Sequence, residues 1–109
     1  MRKQTYNKLV RDKMAAVISG NGHIPHTATV HPHLRQNYLV AKLREEVAEY
    51  DTDRCAEELA DVLAMVRSLA DAHHGGWEAL LAVEAKKADE RGRFNDGVFL
   101  QTVDFPGEN

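Results

Sequence analysis

The sequence predicts an all-α fold, a small bundle of about four helices with a short extended C-terminal tail or hairpin. Three observations carry that prediction: apolar residues recur at helical spacing, glycine-rich or polar breaks separate the periodic stretches, and the last residues lose the period around an Asn-Asp-Gly turn. The first stretch, 7–18, follows Tyr6 with Val10, Met14 and Val17 on one face, and stops at Ser19-Gly20-Asn21-Gly22. After a loop rich in histidine and proline, 34–50 places Leu39, Val40, Leu43, Val47 and Tyr50 on one stripe. Asp53 offers an N-cap for a helix over 54–73 that turns Leu59, Val62, Leu63, Val66, Leu69 and Ala70 inward. His74-Gly75-Gly76 ends it, and 77–91 reads as a last helix closed by Gly92. The tail from Phe94 to Phe105 is expected to be extended.

A chain of 109 residues and 12.2 kDa holds one domain, 1–109, with a single core. No apolar run approaches the length of a membrane span and no signal segment is visible, so no membrane partner is expected. The lone Cys55 excludes an internal disulfide and suits a reducing compartment, so the expected location is cytoplasmic. A net charge of −3 argues against a nucleic-acid partner.

The segment Leu43–Leu63, LREEVAEYDTDRCAEELADVL, concentrates eight of the 17 acidic residues. On a helical wheel, Glu46 lies about 65° from the centre of its apolar stripe, Glu49 about 125° on the same side, and Glu45 nearly opposite the core. In the next helix Glu58 lies about 75° and Asp61 about 135° from the stripe, again on one side, with Glu57 nearly opposite. The short break makes the two helices an antiparallel hairpin related by a local twofold, which preserves rotational sense. Glu46, Glu49, Glu58 and Asp61 are therefore expected on one edge at matching heights.

Bare carboxylates at helical contact distance repel and raise one another's pKa. A solvated acidic surface is the plainer reading of a single such motif. Two matched pairs beside one core favour a hard divalent cation, Mg²⁺ with Mn²⁺ a substitute and Ca²⁺ admissible, over softer metals. A di-iron centre would want Glu-x-x-His, which neither helix carries.

The pair EEVAE and EELAD resembles the EExxE…ExxD signature of the MazG-like superfamily of all-α nucleoside triphosphate pyrophosphohydrolases. The opening YNKLVRDKM and the closing KKADERGRFNDGVFL resemble the ends of its small phosphoribosyl-ATP pyrophosphohydrolase-like members. Two departures stand out. Met14-Ala15-Ala16 replaces the proline common after Arg-Asp-Lys, which shifts the expected start of the first helix, and the spacer between Glu49 and Glu58 is short. The resemblance implies hydrolysis between the α- and β-phosphates of a nucleotide, with Glu46, Glu49, Glu58 and Asp61 as Mg²⁺ ligands. Glu49 is the residue assigned to orient or deprotonate the attacking water. It also implies a homodimer or higher homo-oligomer, with Leu80, Leu81 and Val83 partly engaged.

Phosphates call for protein cations as well. Lys87, Arg91 and Arg93 near the last helix end, and Lys8 and Arg11 near the N-terminus, are the candidates for substrate binding. The six histidines match no zinc-ligand spacing, and Cys55 reads as packing. Two other functions stay open: hydrolysis of phosphoribosyl-ATP, and a non-catalytic helical module that dimerises or binds nucleotide.

Overall fold

The computed structural model describes residues 1–107. Its elements are α1 (Met14–Gly20), α2 (Pro32–Thr52), α3 (Ala56–His73) and α4 (Trp77–Arg91), so the all-α expectation holds. The tail is non-helical as expected, but no strand forms among the described residues; 95–96 is a turn without a hairpin beyond it.

Local chemistry sets most boundaries. Proline at the first position of α2 needs no N–H partner, and His31 caps the helix by accepting the His33 N–H on Nδ1 at 3.2 Å. The two rings then stack with centroids 5.0 Å apart, which gives part of the histidine loop a structural role. Between α3 and α4, Gly75 and Gly76 take φ of +79° and +105°, a turn that side chains resist. Asp71 accepts the Trp77 N–H at 3.1 Å, and the Arg67 guanidinium lies 4.4 Å from the Trp77 ring centroid. These two contacts fasten α4 to α3.

Two expected boundaries are corrected. The first helix begins at Met14 rather than at Asn7, because Asn7 sits at φ +48° and the chain through Lys8 and Arg11 runs across the bundle instead of coiling. Asp53 does not cap α3. It ends α2, donating its N–H to the Glu49 carbonyl at 2.9 Å, and the cap position of α3 falls to Cys55.

Packing is sequential: α2 lies on α3, α3 on α4, and α1 buries no residue. Among the described residues only Leu39 and Ala70 are buried hydrophobics. Several side chains expected inward are half in water, Val47 and Leu59 at 50% and Leu63 at 45%, because the apolar stripes are wider than one helix contact covers. The Cα radius of gyration is 19.6 Å, against about 13 Å for a compact chain of this length.

Ala70 has no exposed surface, and its carbonyl accepts from both His74 and Gly76. Ala70→Leu should therefore overpack the α3–α4 junction and cost about 1–3 kcal/mol. The expected outcome is a lower midpoint in urea; an unchanged midpoint would show that the junction is loose.

Candidate metal centre

The turn from α2 to α3 decides what meets what. The Cys55 N–H donates to the Asp53 carbonyl at 2.7 Å, so the chain reverses within three residues and α3 returns along α2. Glu46 from α2 then faces Glu58 and Asp61 from α3. One oxygen from each lies within 4.8 Å of the others. That spacing and an all-oxygen donor set fit a hard divalent cation.

Glu49 is outside this group and is exposed, so three of the four expected carboxylates converge. The difference has a physical reason. Glu46 and Glu58 start nearest the apolar stripe; Asp61, farther out, is paired with Arg11, whereas Glu49, as far out, has no cationic partner among the described residues and stands in solvent. A second group, Asp53, Cys55 and Glu58, shares Glu58 with the first. Cys55 is half-buried at the turn.

Cations line the outside of the carboxylates. Lys42 Nζ lies 3.1 Å from Glu46 and 3.3 Å from Glu45, and its side chain is only 15% exposed. Periodicity alone did not single out Lys42; its place one helical turn before both glutamates was the available signal. Lys8 Nζ reaches Glu45 at 2.8 Å. The Arg11 guanidinium bonds Asp61. The N-terminal segment therefore crosses the hairpin with one cation on each helix, and Glu45, expected nearly opposite the core, is half-buried beneath Lys8 and Lys42. Glu57 is exposed, as the wheel requires.

No model of a protein family, no curated protein and no solved structure matches this chain. The motif resemblance stands on its residues alone.

The basic residues of α4 are placed differently from those of the N-terminus. Lys87 and Arg91 are exposed and in no ion pair among the described residues. Arg93 is committed elsewhere: its Nε and terminal nitrogen each bond a Glu84 oxygen at 3.0 Å. That pair raises the Arg93 pKa and lowers that of Glu84.

Electrostatics single out Glu58. Partial burial, then repulsion from Asp61, Glu49, Asp53 and Glu46, holds its carboxyl above the usual range. Glu45 moves the opposite way, chiefly through its hydrogen bond from Lys8.

A carboxyl with a raised folded pKa favours the folded state below its unfolded pKa, and that advantage is lost as pH rises through the raised value. Glu58→Gln should remove this slope from the metal-free protein. Urea midpoints of both proteins across the carboxylate titration range check it: wild type should weaken relative to the variant as pH rises. Parallel curves would show that folding does not raise the Glu58 pKa.

Proposed function

We propose that the chain is an Mg²⁺-dependent nucleoside triphosphate pyrophosphohydrolase that cleaves between the α- and β-phosphates and releases a monophosphate and pyrophosphate. The observation that carries this reading is the meeting of Glu46, Glu58 and Asp61 on one edge of the hairpin. The same residues carry the MazG-like motif resemblance.

In this reading Glu46, Glu58 and Asp61 hold Mg²⁺, with Mn²⁺ a substitute. Such a cation, when bound, neutralises charge on phosphate oxygens and lowers the pKa of water at the site. Glu49, exposed beside them, orients the attacking water and accepts its proton. Lys42 keeps the Glu46 carboxylate turned to the edge. Arg11 stands at the rim and would meet phosphate if Asp61 turned to a metal, whereas Lys8 would first have to leave Glu45, which is not one of the proposed ligands. Lys87 and Arg91, exposed and in no ion pair among the described residues, are further candidates for phosphate, whereas Arg93 would first have to leave Glu84. The reading includes assembly as a homodimer or higher oligomer. The thin core of the single chain, with Leu81 at 39% and Val83 at 56% exposure on α4, supports it.

Pyrophosphate release over a panel of nucleotides, phosphoribosyl-ATP included, with and without Mg²⁺, tests the reaction. Release should require Mg²⁺. Glu58→Gln should lose on the order of a hundredfold or more, and Glu57→Gln should stay within about twofold. Equal loss in both variants, or release indifferent to Mg²⁺, would contradict the proposal.

The ion pair of Arg11 with Asp61 gives a second test. Mg²⁺ and the guanidinium compete for one carboxylate, so Arg11→Gln should tighten Mg²⁺ binding by about two- to fivefold, the worth of an exposed pair. It should lower turnover at the same time, because a phosphate-facing cation is lost. Calorimetric Mg²⁺ titration checks the first effect; weaker binding in the variant would show that Arg11 does not oppose the metal.

A further inference from the structure

The hairpin has a second edge. Val47, Leu59 and Leu63 lie about 40°, 25° and 65° from the stripe centres, in the rotational sense opposite to Glu46 and Glu58. The local twofold that gathers the carboxylates therefore gathers these three on the back edge. All three are about half exposed. Beside Val47, an open groove of about 580 Å³ runs along α2 to the turn, lined by Ala48 and Tyr50 with Arg44, Asp51 and Arg54; Leu59 and Leu63 lie outside its lining.

The C-terminal segment is equally unsatisfied. Phe94 is 100% exposed, Val98 90%, Phe99 84% and Leu100 75%, with Val103 and Phe105 also exposed. Its root is nevertheless fixed. Gly92 turns the chain at φ +77°, and Arg93 is clamped to Glu84 by two hydrogen bonds.

The chain exposes 9908 Å², about 3,800 Å² more than a compact monomer of this mass. A standard stable interface buries about 800 Å² per partner, so the excess is on the scale of an obligate assembly. The long dimension of the molecule is 71 Å, whereas the longest helix, α2, spans only about 32 Å. Among the described residues the single chain thus carries an apolar arm and a half-exposed apolar edge, and covers neither.

We propose that residues 93–105 form an arm that packs on the back edge of the α2–α3 hairpin of a second copy of this chain. A twofold exchange satisfies both surfaces twice. Phe99, Leu100 and Val103 supply the apolar contact to Val47, Leu59 and Leu63. Asp96 and Asp104 on the arm complement Arg44 beside the groove, whereas Arg54 is already paired with Asp51. The opposite edge, with its carboxylates, stays open to solvent and ligand. The proposal stands independently of the metal reading.

Isotopically light and heavy chains, each with a photo-cross-linking benzoylphenylalanine in place of Phe99, are mixed unfolded, refolded together and irradiated. Mass spectrometry should find cross-links from the arm to residues 44–63 in light–heavy hybrid pairs. Pairs that are only light–light and heavy–heavy would show the arm folding on its own chain, and cross-links to other segments would place it elsewhere; either overturns the proposal. Light scattering should give wild type a multiple of 12.2 kDa and Leu100→Asp a smaller mass with its helicity retained. A monomeric wild type would also overturn it. Should the variant fail to fold, the cross-links still decide.

Discussion

Repulsion among the carboxylates of one helical hairpin is the constraint around which this chain is arranged. The reversal between Thr52 and Ala56 leaves α3 no choice but to return along α2, which brings Glu46, Glu58 and Asp61 together. Three nearby cations pair with carboxylates of this segment. Lys42 comes from within α2, while Lys8 and Arg11 come from a segment that gives up helix to reach across both elements. Glu58, in no ion pair among the described residues, has its pKa raised by partial burial first and by its neighbours' charge second. A divalent cation would supply there what no side chain does.

The same hairpin divides its labour between edges. One side of each apolar stripe is acidic, and the other carries the half-exposed Val47, Leu59 and Leu63, with Arg44, Asp51 and Arg54 beside Val47. That is why so few residues are buried although the apolar pattern is strong. A charged edge needs access to solvent and ligand. An apolar edge needs cover, and the arm beyond Gly92 has the chemistry to provide it.

Much of this was legible in the sequence. The three longer helices follow from periodicity and breakers, and α4 runs over the same residues as expected. The convergence of Glu46, Glu58 and Asp61 follows from rotational sense and equal heights about the turn. Contacts distant in sequence were not legible. Nothing local says that Lys8 will seek Glu45 or Arg11 will seek Asp61, and those pairs account for the late start of α1 and the burial of Glu45. Periodicity also marks which residues want cover without saying what covers them, which is why Leu59 and Leu63 were expected inside and stand half in water. Glu49 escaped the cluster because a wheel fixes where a side chain starts and not where a long, unpaired one ends.

The central claim is that the acidic edge is a cation site held open by folding. Thermal melting of the metal-free protein against Mg²⁺, at ionic strength kept constant with NaCl, tests it most directly. Ligand binding to the folded state should raise the melting temperature progressively with Mg²⁺, because the free energy gained grows with the logarithm of its concentration. In Glu58→Gln the rise should be largely lost. A wild-type melting temperature that does not move with Mg²⁺ would contradict the account.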